Sequence, residues 1–150
     1  MRVNDLYKEK IYPELKEYIL SHSLYSPVVT KVYTEQSKVF PIVTVQLVRE
    51  RQVFNNLTWG ELTYPFRIDI NVYANDKTIN NTKVSKIVIT DEISGIIEDY
   101  FNNSCKVSIY RQDDLANIDG NIRRNFIRVE GILDTKWGDN DITIYPASNY

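Results

Sequence analysis

Few residues in this chain could carry chemistry. It holds one histidine, His22, and one cysteine, Cys105. His22 stands among serines in a polar stretch and reads as a surface residue. Nucleophilic catalysis needs a base beside the nucleophile, and nothing pairs these two. Cys105 reads as a small apolar residue beside Val107. Zinc needs several Cys or His ligands, which one of each cannot supply. Asp113, Asp114 and Asp119-Gly120 share a feature with calcium loops, but the alternating acids and closing Glu are missing. Asp139-Asn140-Asp141 reads as a turn. A nuclease built on a strand-borne Asp followed by Glu-x-Lys would need that motif after Asp69. The only Glu-x-Lys, Glu14-Leu15-Lys16, precedes it on a helix. There is no Gly-rich phosphate loop. The reading is a non-enzyme with no cofactor and no metal.

Two groups of residues remain as candidates for contact. Arg111, Arg123, Arg124 and Arg128 form a late basic cluster. Such arginines serve ion pairs across strands or between subunits, or they hold phosphate. Phe54 and Trp59 stand in a polar stretch, Gln52 to Glu61. Its ten or so residues exceed what a tight hairpin needs. Either the two rings form a contact surface or they fold back onto the core.

Composition narrows the classes further. A net charge of −2 argues against a general grip on nucleic acid. Eleven tyrosines suit a protein interface, although an A·T-rich coding bias would also supply them. No run of about 18 apolar residues would span a membrane. The polar, charged start MRVNDLYKEK is not a secretory signal. The 150 residues suffice for one domain, taken as 1–150, with a short tail over 146–150.

The elements that must position these residues are legible from periodicity. Leu62, Tyr64, Phe66, Ile68, Ile70 and Val72 alternate with Thr63, Arg67, Asp69 and Asn71, which only a strand explains. A first helix runs from Asn4 or Asp5 to about Ser21, with Tyr7, Ile11, Leu15, Tyr18 and Ile19 as its stripe. Pro13 kinks it or restarts it. Val28 to Tyr33 holds a short strand. Phe40 to Arg51 is another, with Val43, Val45 and Leu47 on one face. Ala74 to Asn81 is a polar turn. A second helix from Thr82 to Phe101 turns Asp91, Glu92, Glu98 and Asp99 to solvent. Its apolar residues occupy more than one side, so two neighbours should cover it. Lys106 to Tyr110 is a strand and Arg111 to Asn121 a loop. Ile122 to Thr135 is a long strand with Ile127, Val129 and Leu133 inward. A turn at Gly138-Asp139-Asn140 leads to a last strand, Ile142 to Tyr145. The fold class is α+β: a mostly antiparallel sheet of four to six strands with two main helices packed on it.

The element order and the phrases FRIDINVYAND, KVSKIVITDEISGIIEDYF and NIRRNFIRVEGILD give the chain a family resemblance. It resembles the small tail-terminator or tail-completion proteins of tailed bacteriophages, of the lambda type and its relatives in contractile tails and prophages. The likeness spans roughly Asp5 to Leu133. In that family the late strand often begins with Tyr before its Arg pair, whereas Ile122 stands here. The resemblance implies a structural virion protein at the head-facing end of the tail. It implies a ring, commonly of six subunits, that stops tube growth and docks the head. Its partners would be further copies of itself, the tail tube protein and the head-connector or stopper protein. DNA would pass through the lumen without specific binding, no membrane would be involved, and assembly would occur in the host cytoplasm. Phe54, Trp59 and the four arginines are then the interface candidates. A head–tail stopper role is the neighbouring reading. A small nucleic-acid-binding domain is the reading from another class.

Overall fold

The computed structural model describes residues 3–32, 39–50, 53–54, 61–104, 106–116, 119–136 and 142–146, and side chains over 5–32, 39–48, 65–104, 106–116 and 119–132. The N-terminal helix is continuous from Val3 to His22 and contains one π-turn, Tyr7–Ile11. Pro13 explains that turn. A proline has no N–H for the carbonyl four residues back, and its ring crowds that carbonyl. Here the Tyr12 N–H reaches back five residues to the Tyr7 oxygen, which widens the helix just before Pro13. The helix therefore neither breaks nor restarts. Leu6, Tyr7, Ile11, Leu15 and Ile19 are buried along its stripe.

One mixed sheet forms the second layer, with strands β1 (Val28–Thr30), β2 (Ile42–Glu50), β4 (Glu61–Ala74), β8 (Arg123–Lys136) and β7 (Ser108–Leu115) in that spatial order. Short strands β3 (Val53–Phe54) and β9 (Ile142–Pro146) extend it by pairing with β4 and β8. The sheet is not wholly antiparallel, because β1 runs parallel to β2. The expected α+β class holds. The five-strand path falls within the expected count, and the two short additions extend beyond it. β4 and β8 pair along all 14 residues of each, a ribbon about 46 Å long at ~3.3 Å per residue.

The alternation in β4 works as its period demands. Phe66, Ile68, Ile70 and Val72 are buried, facing Val43 and Val45 of β2 and Ile127 and Val129 of β8 in one core. The second helix, Lys86–Ser104, lies on that face through Ile89, Ile93, Ile97, Tyr100 and Phe101.

Several boundaries differ from expectation for local reasons. The second helix starts at Lys86, four residues later than expected. Residues before it form a hairpin, β5 (Lys77–Ile79) with β6 (Thr82–Val84). Asn80 and Asn81 turn it at φ 51° and 64°, the two-residue type I′ geometry that Asn tolerates. Ser85 then caps the helix, its Oγ accepting from the Ile87 N–H, while the Asp76 carboxylate accepts from the Lys86 N–H. Ile87 and Val88 are about half exposed, so the apolar residues outside the core stripe sit on the helix surface. The expected loop at Arg111 is instead the second half of β7, which a bulge between Gln112 and Leu115 interrupts. The expected loop from Gln52 is shortened, since Val53 and Phe54 pair with Thr63 and Leu62. Trp59, Cys105, the Phe54 and Leu133 side chains, the turn at Gly138-Asp139-Asn140 and the tail beyond Pro146 lie outside the described residues.

Candidate interaction face of the sheet

Strand parity divides the basic cluster in two. On β8 the odd residues face the helices and the even ones face away, as buried Ile127 and Val129 establish. Arg123 therefore lies on the helix side and Arg124 and Arg128 lie on the other. Arg111 on β7 is paired with Ile127 and also lies on the helix side. The sequence cluster is not one patch.

The helix-side pair is structural. Arg111 donates to Glu98 Oε1 at 2.7 Å, to Asp91 Oδ1 at 3.2 Å and to Asp113 Oδ1 at 2.6 Å. Burial opposes its charge, but the hydrogen bonds to Asp113 and Glu98 outweigh this and hold its pKa above the ordinary value. Arg123 reaches the same Asp91 oxygen at 3.5 Å. Asp91 and Glu98 are thus bound to strand arginines and do not simply face solvent. Fully buried Asn125 completes this seam. Its Nδ2 donates to Asp91 Oδ1 and Ser94 Oγ, and its Oδ1 accepts from the Asp114 N–H across the β7 bulge.

The opposite face of the sheet carries neither helix. Its rows run across the strands: Gln46, Asp69, Arg128 and Tyr110 in one, with Asn71, Phe126 and Gln112 in the next. Arg67, Glu130 and Ser108 form a third. Arg67 donates to Asp69 Oδ2 at 3.1 Å, and Arg128 Nε stands 3.5 Å from Asp69 Oδ1. Arg124 Nε donates to Asn71 Oδ1 at 2.8 Å. The guanidinium of Arg128 lies 5.3 Å from the Phe126 ring centre, and that of Arg124 lies 5.8 Å from Tyr73. Tyr110 is 54% exposed.

This face is also where polar satisfaction is incomplete. Among the described residues, the covered side-chain atoms without a hydrogen bond are Arg67 Nε, Asp69 Oδ1, Arg128 Nε and Ser108 Oγ. All four belong to it. A covered polar atom left unbonded is costly, although Arg128 Nε and Asp69 Oδ1 face each other in the 3.5 Å ion pair. Among the described residues no group of acids, cysteines and histidine is placed to hold a metal. His22 is exposed at the end of its helix, stacked on Tyr18 with its Nδ1 2.9 Å from the Tyr18 carbonyl oxygen.

The sequence pointed to Arg124 and Arg128 but not to their neighbours. Phe126, Tyr110 and Asn71 become recognisable only once β8 is aligned with β4 and β7. No helix of the described residues is long and apolar enough to cross a membrane. No known protein-family model matches the chain, and no curated protein matches it.

Proposed function

We propose that this protein is a structural component of a phage tail, a terminator that caps the head-facing end of the tube as a ring. The reading takes its identity from the family resemblance of the sequence. One observation supports an assembly role above others: the helix-free sheet face, with arginines over aromatic rings and Tyr110 exposed beside them. Arg and Tyr are enriched in interface cores, and a partner surface would cover the exposed Tyr110 ring. In this reading the ring stops tube growth and presents a surface to the head connector. A stopper in the connector itself would use the same face toward the other partner.

The test is deletion of the gene in a phage that carries it, followed by electron microscopy. A terminator's loss leaves heads intact and tube length unregulated, with tails unjoined. A stopper's loss leaves tails of normal length beside unjoined heads. Normal virions would overturn both.

Arg124, Arg128, Phe126 and Tyr110 also admit a nucleic-acid platform, since rings and guanidinium groups can stack bases and hold phosphates. The net charge of −2 and the acids Asp69 and Glu130 on the same face disfavour it. Retention on single-stranded DNA that falls steeply with salt would support it.

A further inference from the structure

The connection from β7 to β8 holds the one Asp-Gly step of the chain, Asp119-Gly120, and no Asn-Gly step occurs. Every other aspartate is followed by a residue with a side chain. The difference is chemical. A backbone nitrogen can attack the γ-carbon of the aspartate before it and close a five-membered ring. A side chain on the residue that supplies the nitrogen crowds this approach and stiffens the backbone, and glycine has none.

The fold leaves this step open to the reaction. Asp119, Gly120 and Asn121 are all exposed and lie between the paired segments of β7 and β8. The Asn121 N–H donates to Asp119 Oδ1 at 2.9 Å. Such a side-chain turn folds the carboxyl group back over the Gly120 peptide, whose nitrogen must reach it. A Cβ built at Gly120 meets no atom within 4 Å, so packing does not demand the glycine and does not confine it. Asp69 and Asp91, by contrast, are held in ion pairs on a strand and a helix.

We propose that Asp119 isomerises in the folded protein, which makes this loop a site of covalent ageing. The Gly120 nitrogen adds to the γ-carbon of the protonated Asp119 carboxyl and loses its proton. One carboxyl oxygen leaves as water, and a succinimide remains. Water then adds to one of the two ring carbonyls. Breaking the bond from the nitrogen to the γ-carbon restores aspartate. Breaking the bond from the nitrogen to the main-chain carbonyl carbon leaves isoaspartate, whose backbone runs through the side-chain methylene. One water leaves and one returns, so no other reactant is needed. The former main-chain carbonyl becomes the free carboxylate. In the unmodified chain that oxygen accepts from the Ile122 N–H at 3.2 Å, and the Gly120 carbonyl accepts from Lys86 Nζ at 3.2 Å. These bonds tie the loop to the entry of β8 and to the start of the second helix. A backbone longer by one carbon displaces both.

The test incubates the folded full-length protein in warm, mildly acidic buffer. An isoaspartate-specific carboxyl methyltransferase with a labelled methyl donor measures the product, and electron-transfer fragmentation locates it. Isoaspartate is expected at position 119. Asp119→Glu should abolish it, because the longer side chain would have to close a six-membered ring. Gly120→Ala should slow it roughly tenfold, since the added Cβ crowds the attacking nitrogen and restricts its rotation. That variant should melt as the unaltered chain does, because its Cβ enters open space. Amide exchange at Ile122 should quicken in the modified fraction. Isoaspartate that forms at 119 in the urea-unfolded chain but not in the folded protein overturns the proposal, as does equal accumulation in Gly120→Ala.

Discussion

The ring of Phe66 lies on Gly131, its direct partner across β4 and β8. A Cβ built at Gly131 would stand 2.8 Å from Phe66 Cζ and 3.1 Å from Val107 Cγ1. Phe66 is 3% exposed, so its ring has little room to yield. An aromatic ring laid over a cross-strand glycine covers the backbone that the glycine leaves bare.

Gly131→Ala should therefore destabilise the fold by about 1–3 kcal/mol, the usual cost of overpacking. Adding Phe66→Leu should relieve the clash, so the double variant should lose less than the sum of the two single losses. Chemical denaturation of the four proteins measures this. Additive losses would mean that the ring and the glycine are not coupled.

Asn125 should be the polar residue least tolerant of change. Replacing it with Leu keeps most of the volume but leaves the Asp114 N–H and Asp91 Oδ1 without its bonds. The expected loss is about 2 kcal/mol, from unmet groups at roughly 1–3 kcal/mol each. Hydrogen exchange at the Asp114 amide should quicken with it. Asp114 holds φ 56° at the β7 bulge, a conformation that the Asn125 side chain helps to fix.

Alkaline titration should expose the contact between the first helix and β2. The Tyr7 hydroxyl donates to the Val45 carbonyl. Burial, and then the neighbouring Tyr12, push its pKa from 10.0 to about 12. The unfolded chain loses that proton first, so Tyr7 contributes its full stabilisation below pH 10.0 and loses it as pH rises to about 12. Tyr7→Phe should cost about 1 kcal/mol near neutrality for the lost hydrogen bond. It should also flatten part of the fall in melting temperature above pH 10.0. An unchanged alkaline slope would place Tyr7 in a solvated setting.

Trp59 is expected to be a docking anchor, from its place in a polar stretch between two paired strands. Trp59→Ala should weaken assembly by roughly 2 kcal/mol or more while the melting temperature of the free subunit changes little. Early melting with normal assembly of the folded fraction would assign Trp59 to the core.

Much of this architecture was legible in the sequence because it rests on period. The two-residue alternation from Leu62 to Tyr73 specified a half-buried strand, and the three-and-four spacing of Ile11, Leu15 and Ile19 specified a helix. The structure retains both, since burying those stripes is the main gain available to the chain. Pro13 was visible as a disturbance, but not its remedy. Whether a helix breaks or widens at a proline depends on what its flanking turns bury. Here Tyr7 and Ile11 are both packed in the core, which favours a widened turn over a break.

The arginines mark where sequence stopped being sufficient. Their nearness along the chain suggested one patch, but neighbours in a strand point to opposite faces. Arg123 and Arg124 are therefore separated by the sheet itself. Register then decided their roles. Alignment of β8 with β4 set Arg128 beside Asp69 and gave Arg124 the Asn71 amide. Packing of the second helix gave Arg111 its two helix carboxylates. The sequence by itself determined which side chains are buried in stripes, because that depends on spacing of a few residues. Apart from the local pairs Arg67–Asp69 and Arg111–Asp113, tertiary structure decided which charges meet, because those partners lie 13 to 59 residues apart and are joined only by strand pairing and helix docking.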